Sequence, residues 1–558
     1  MKRQQLVTIA CSLLLAGCYN ARDLPRTVVW TADDRRPIAE PKEETEGQWL
    51  LWDGADKMVF LPGRQFFNFG RFSRAIGTWI GVAGPLEAPN VNAVDEVPDS
   101  TWFTNRHFFS RLSPDALVRG ALTTQAPRGP WTVTGGKKST AAGFEARDSR
   151  GDIYILKFDP PANPQMTTAA EVITPRFLYA AGYNVPENYL VNVDPSDFTV
   201  DPEATMRGKY RVRRRMTEAD VEHALETVVR QPNGTLRAVA IKFLPGIPKG
   251  PFLYEGTRPD DINDRIRHEN RRELRGLRVV AAFLNHTDPK AANAVDMYDP
   301  HTRYLTHYLV DFSSTLGADN INQQLPRYGN EYFLDFGTIG RSTVSFGAYV
   351  KPWEVPFNVE YPSAGYFNVA YFDPERWRPT FPNPAFKRMT LRDAYWGAKL
   401  VTSFTDEDIE TIVRTGEFSD PRAERHVADV LKGRRDKIGR YYFNKINPLD
   451  RFKLTEQGEI HTLGFENLAL SGGYAPSATA SYRYRISAAG KTVSEAVVQA
   501  PRIPLRRELM GASAAQPCIV MIETSYDGGE RWSKRVFVYI RYESGAGRFN
   551  IVGIDRET

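Results

Sequence analysis

Long apolar runs, cysteine and histidine are all scarce in this chain of 558 residues, and each scarcity narrows what it can be. The N-terminal apolar run, Leu6 to Leu15, is about ten residues long, well short of the roughly 20 that a bilayer-spanning helix needs. Three cysteines exclude a disulfide-dense scaffold. Eight histidines, dispersed along the chain, offer no cluster with the spacing of transition-metal ligands. Neither sign of charge is in excess: 72 basic against 67 acidic residues leave +5, which falls to +3 without Lys2 and Arg3. That balance is too small and too spread to imply a nucleic-acid partner. At 42% hydrophobic and 25% charged the composition is globular, not disordered, with material for roughly two to four domains.

The N-terminus carries a specific pattern: Lys2 and Arg3, the apolar run, then Leu15-Ala16-Gly17-Cys18. It resembles the bacterial lipobox. The resemblance implies that residues 1–17 are a signal peptide, that Cys18 is diacylated, and that the protein is held to a membrane by lipid; an uncleaved anchor is the alternative. Tyr19, rather than Asp, after the cysteine implies the outer membrane, facing the periplasm. With Cys11 removed and Cys18 lipidated, only Cys518 is left in the body, so an intramolecular disulfide is not expected. Residues 18–48, with Pro25, Pro37 and Pro41, read as a tether.

Residues 49–130 form an aromatic- and Gly-rich extension, whose polar cluster from Asp95 to Arg106 suits turn and capping contacts or the lining of a site. From 131 the pattern predicts three strands: Trp131-Thr132-Val133, Phe144 to Arg147, and Ile153 to Phe158. Gly135 and Gly136 open the first connection, as an ordinary hairpin turn or as a loop that brings backbone N–H groups to phosphate. Lys157 alternates with Leu156 and Phe158, which places its stem on the sheet face opposite the apolar one. A helix from Thr168 to a Gly182 stop follows, and Pro175 is expected to kink or restart it. Glu171 on that helix could pair with Lys157 or face solvent. The basic run Arg207 to Arg215 reads as a solvated loop or edge strand. Ala238 to Leu244 reads as a strand leading into a linker at 245–251.

The chemistry concentrates after the helix Glu273–Leu284, in Asn285-His286-Thr287-Asp288-Pro289-Lys290-Ala291-Ala292-Asn293, followed by a hairpin to Leu309-Val310-Asp311-Phe312. Asp288 could orient an acceptor hydroxyl, Asn293 could hold a divalent cation, and Asp311 could supply a second metal ligand. Order and spacing resemble the H-R-D-x-x-x-x-N and D-F-G signatures of the protein-kinase-like fold, with Thr287 and Ser313 as substitutions. The resemblance covers roughly residues 131–450 and is to divergent atypical kinases of the HipA and CotH types. It implies ATP with Mg or Mn as cofactors, Lys157 and Asp288 as catalytic residues, and Lys157, Glu171, Gly135 and Gly136 at the nucleotide. It also implies Asn293 and Asp311 at the metal. Val239-Ala240-Ile241-Lys242 matches a kinase strand motif literally, but too few residues lie between Lys242 and Asp288 to fit the intervening elements. Asp335-Phe336-Gly337 is a second D-F-G match, and Asp335 a reserve metal ligand. Transition-metal ligation by His286 and Asp288 lacks a third ligand nearby.

Residues 390–450 are expected to be helical, and 455–558, with short alternating segments, a β-sandwich or barrel. The expected fold is therefore α+β: a bilobal kinase-like body (131–255, β-rich; 256–450, helical) with a C-terminal all-β domain. The first functional expectation is phosphoryl or nucleotidyl transfer from ATP to an unknown protein or small-molecule acceptor. Two others stand beside it: a catalytically inactive pseudokinase, which the scarcity of ATP outside the cytoplasm favours, and an envelope lipoprotein whose β domain binds glycan or protein.

Overall fold

The computed structural model describes residues 28–43, 86–136, 142–207, 213–346, 348–354, 357–457, 460–506, 517–545 and 547–558. Cys18, most of the tether, residues 49–85 and the loop 137–141 lie outside the described residues. The chain is α+β, with several sheets and, among the described residues, seven helices of nine residues or more.

Seven strands make the first sheet: β1 (Trp131–Gly136), β2 (Gly143–Arg147), β3 (Ile153–Phe158), β4 (Asn188–Val193), β5 (Phe198–Arg207), β6 (Arg213–Arg215) and β7 (Leu236–Lys242), in the order β4-β7-β3-β2-β1-β5-β6. Alternation along the strands sorts the side chains. Tyr154, Leu156 and Phe158 join Trp131, Phe144, Leu236 and Ala240 on one face, where Val221 and Leu225 of helix α2 (Glu218–Glu226) cover them. Ile155 packs with Val239, Ile241 and Val172 on the other, against helix α1 (Met166–Ala181). β6 is an exposed edge whose arginines are met by Asp220 and Glu203, the solvated strand that its charge suggested.

Helix α1 runs unbroken through Pro175, against the expected kink. Proline removes the N–H that would bond the Glu171 carbonyl. Asn188 Nδ2 donates to that carbonyl instead, at 2.6 Å, so the gap in the ladder is filled from the neighbouring strand.

After the linker, β8 (Ile247–Pro248) pairs with β9 (Ala294–Tyr298), which pairs with β10 (Leu305–Leu309). Helix α3 (Arg272–Leu284) precedes that hairpin. The two-residue strands β11 (Ala318–Asp319) and β12 (Asn322–Gln323) follow it, then helix α4 (Phe336–Val344). Three more helices complete the body: α5 (Leu391–Thr402), α6 (Asp406–Arg414) and α7 (Pro421–Phe443). α3 and α5 cross closely because glycines meet there: a Cβ at Gly276 would stand 2.6 Å from the Trp396 ring, and one at Gly397 2.7 Å from Gly276 O.

The C-terminal region is two sheets around one core. β13 (Leu449–Gln457), β14 (Ile460–Asn467) and β17 (Arg502–Arg506) form one sheet, in the order β13-β14-β17. β15 (Ser481–Ala488), β16 (Lys491–Val498), β18 (Cys518–Ser525), β19 (Val536–Glu543) and β20 (Arg548–Arg556) form the other, in the order β16-β15-β18-β19-β20. Leu463, Phe465 and Leu505 of the first face Tyr482, Val520, Ile522 and Val538 of the second. The first strand starts at Leu449, ahead of the expected 455. Arg451 sits at φ 49° and the register shifts between Asp450 and Lys453, so alternation becomes visible in the sequence only after the strand has begun.

Buried ion pairs weld the N-terminal extension, the helices and the sandwich together. Arg272 pairs with Asp95 at 2.7 Å and with Asp393 at 3.2 Å. Lys399 bonds Glu96 and lies 3.0 Å from Asp450, which also accepts from Arg556 at 3.1 Å. The polar cluster from Asp95 to Arg106 is thus taken up by structural contacts; Trp102 within it stacks on His307 with ring centroids 3.5 Å apart.

Candidate functional site

Lys157, near the end of β3, turns its side chain toward α1 and is almost wholly buried. Its ammonium bonds Glu171 and lies 2.8 Å from Asp311 Oδ1. Burial opposes its charge, but the Asp311 and Glu171 carboxylates outweigh this and hold its pKa above the ordinary lysine value. Glu171 is fully buried, with Asn188 Nδ2 3.3 Å from its Oε2.

The loop from Asn285 to Asn293 leaves the C-terminus of α3 with Asn285 in the left-handed region, at φ 47°. Asn285 Oδ1 accepts from Trp377 Nε1 at 2.9 Å and Arg434 Nη2 at 2.8 Å, and its amide donates to Gln324 Oε1 at 2.5 Å. Thr287 N donates to Ser314 O at 3.1 Å, and Val310 N to Asn293 O at 3.0 Å, so the loop lies alongside residues 310–314. His286 is buried edge-on to Phe312, with ring centroids 6.1 Å apart; burial pushes its imidazole down to about 4, so it is neutral near pH 7.

Asp288 Oδ2 lies 2.8 Å from Lys290 Nζ and accepts from Asn293 Nδ2 at 3.0 Å, and the same amide reaches Asp288 O at 2.9 Å. Its other oxygen, Oδ1, is buried without a partner. Burial raises the Asp288 carboxyl above the usual carboxylate range, against the pull of Lys290. Asp311 sits at φ 61°, stays substantially exposed, and accepts from Ser313 Oγ at 2.6 Å as well as from Lys157. Nearby, Tyr328 OH donates to Asp319 Oδ2 at 3.1 Å; burial first, then the Asp319 and Asp288 charges, push the phenol up to about 12.

The structure therefore brings together Lys157, Glu171 and Asp311, and sets Asp288 and Asn293 beside them. It places two alternatives elsewhere. Lys242 pairs with Asp152 at 2.9 Å, and Asp335 caps α4 through Thr338 N and binds Arg378 at 2.6 Å. Gly135 and Gly136 end β1, where sheet packing accounts for the second: a Cβ at Gly136 would lie 2.8 Å from Met206 Cβ. The connection they open lies outside the described residues. Lys290, Ser313, Tyr328 and Asn188 belong to the site and went unassigned from the sequence. Lys290 had a signal, a cation two positions after Asp288; Asn188 had none, since its role depends on a carbonyl that only the fold brings to it.

Among the described residues no three His, Cys, Asp or Glu side chains gather as a self-sufficient metal centre. Asp311 and Asn293 offer a carboxylate and an amide. That set fits Mg or Mn arriving with phosphate oxygens, because such ions are commonly bound through one or two carboxylates plus substrate. Comparison with protein-family models, with curated proteins and with solved structures yields no match to this chain.

Proposed function

We propose that the region 131–450 is a divergent kinase-like domain of the HipA and CotH type, and that it transfers a phosphoryl or nucleotidyl group from ATP to an acceptor hydroxyl. The carrying observation is the buried Lys157 held between Glu171 and Asp311, with Asp288 and Asn293 alongside. The run β1-β2-β3-β7-β4, with α1 between β3 and β4, supports reading the sheet as the first of two lobes, 245–251 as the link, and α3 with α5–α7 as the second.

ATP with Mg or Mn would supply an electrophilic phosphorus whose oxygens the cation screens. Lys157 neutralises phosphate charge, and Glu171 keeps it from swinging away. Asp311 and Asn293 are the residues to hold the cation. Asp288 is the residue to accept the proton of the incoming hydroxyl, and the raised carboxyl pKa suits it to that role. Lys290 and Asn293 fix the opposite oxygen and so orient the carboxylate. The proposal keeps this domain in the cell envelope, tethered through lipidated Cys18 to the outer membrane and facing the periplasm, with an envelope protein or small molecule as acceptor.

Incubating the purified protein with labelled ATP and Mg or Mn, alone and with an envelope fraction, tests the reading. Metal-dependent label transfer is expected. Nucleotide binding without transfer would favour an inactive pseudokinase, and neither binding nor transfer would overturn the site and leave an envelope binding or structural lipoprotein.

A further inference from the structure

Helix α1 carries a defect at a sensitive place. Pro175 cannot donate to the carbonyl four residues earlier, and that residue is Glu171, whose carboxylate binds Lys157. Asn188, the first residue of β4 and buried, answers both ends of Glu171: its Nδ2 donates to the main-chain oxygen at 2.6 Å and lies 3.3 Å from Oε2. Two acceptors facing one atom fix it as the amide nitrogen, since the opposite flip would set three oxygens against each other. The cost falls on the other end, where Asn188 Oδ1 is buried without a partner. An apolar side chain of similar size would spare that oxygen but leave the Glu171 carbonyl without a donor, and it would lose the contact to the Glu171 carboxylate, so the backbone and carboxylate contacts must be told apart by experiment.

We propose that Asn188 is a positioning residue: by gripping the backbone and the carboxylate of Glu171 together, it holds that carboxylate on Lys157 and so sets the lysine toward Asp311. The chain of contact runs from β4 to α1 to β3 to the 310–314 segment. Pro175 is part of the device. It frees the carbonyl that Asn188 uses, which ties the side chain's rotamer to its own main chain. Its relevance to nucleotide handling rests on the kinase-like reading, but the contact itself does not.

The test separates the two. Lys157 in the Asn188→Leu variant should react several-fold faster with an amine-directed acyl reagent, read by mass spectrometry, as in a Glu171→Gln control, while the melting temperature stays within about 5 °C of the parent. Adding Pro175→Ala supplies an N–H to the Glu171 carbonyl but nothing to its carboxylate, so the double variant should regain melting temperature and keep the fast-reacting lysine. Should Asn188→Leu fold poorly, this double variant carries the measurement. Unchanged Lys157 reactivity, or its full return to the parent rate in the double variant, overturns the proposal, because Asn188 would then only complete the helix. Failure of the parent to bind Mg-ATP would remove the kinase-like reading and leave this result standing.

Discussion

Lys157 Nζ lies 2.8 Å from Asp311 Oδ1 although 154 residues separate them, and the same ammonium bonds Glu171. The two carboxylates differ in setting. Glu171 is fully buried, whereas the Asp311 side chain is 43% exposed. Removing the lysine therefore strands one buried charge and frees one wet one. Lys157→Ala should cost about 3–5 kcal/mol through the unpaired Glu171. Asp311→Asn should cost little stability. Both should weaken Mg-nucleotide binding by about tenfold or more, so calorimetric titration beside a urea melt distinguishes them; a Lys157→Ala protein as stable as the parent would contradict the buried pair.

Lys399 bridges Glu96 from the N-terminal extension and Asp450 from the sandwich, all three buried. Lys399→Met leaves two carboxylates without their shared cation, at about 3–5 kcal/mol. Burial raises the Glu96 carboxyl, to about 7, above its ordinary 4.5, so the folded state binds the extra proton there and gains stability as pH falls from about 7 toward 4.5. The variant, lacking the cation, should bind that proton from a higher pH, so its deficit should shrink as pH falls toward about 7 and hold steady below it in melts at stepped pH. Residues 446–450 should resist limited proteolysis, since all five are buried and Asn447 accepts from Thr524 Oγ1 at 2.9 Å.

His286 sets an acid limit. Its folded-state pKa of about 4 lies below the ordinary 6.5, so the unfolded chain binds the proton more readily and stability is lost as pH falls through that interval. The full effect is about 3 kcal/mol below pH 4. Replacing it with Asn should flatten the acid limb between pH 6.5 and 4.5; a limb of unchanged slope would assign acid sensitivity to other groups.

How much of this was legible in the sequence depended on the range of the interaction. Local alternation located β1 to β3, and helical spacing set Glu171 on the helix that follows Lys157, because those signals live within a few residues. Glycine and proline were harder. Gly136 reads as a hairpin turn or a phosphate loop until Met206 appears against it, and Pro175 reads as a kink or restart until Asn188 replaces the missing donor. The Arg272, Lys399 and Arg556 pairs join segments from 51 to 303 residues apart, and no spacing rule in one sequence points from Glu96 to Lys399. The early start of the sandwich was hidden by Arg451, whose left-handed backbone interrupts the alternation that marks a strand.

Cys18 lies outside the described residues, and its prediction stands on the lipobox pattern. Cys18→Ser should move the protein from the detergent phase to the aqueous phase or block processing. A normally cleaved variant that still partitions with membranes would require another anchor.

The last prediction separates binding from transfer. Asp288 contacts Lys290 and Asn293 through Oδ2, and the hydroxyl whose proton it is proposed to take is missing from the binary nucleotide complex. Asp288→Asn keeps the shape and an oxygen for Lys290, but replaces a proton acceptor by a group that cannot take a proton at any working pH. Mg-nucleotide affinity should stay within a few fold of the parent, while transfer should fall by about 10² or more, the scale of a lost general base. The parent's rate should also climb with pH through a midpoint above the ordinary carboxylate value, since burial raises the Asp288 pKa and only its ionised form accepts the proton. Below that midpoint the parent and Asp288→Asn should converge. If instead the variant loses nucleotide binding in proportion to transfer, Asp288 acts on the cation rather than on the acceptor, and the two roles assigned to Asp288 and Asp311 must be exchanged.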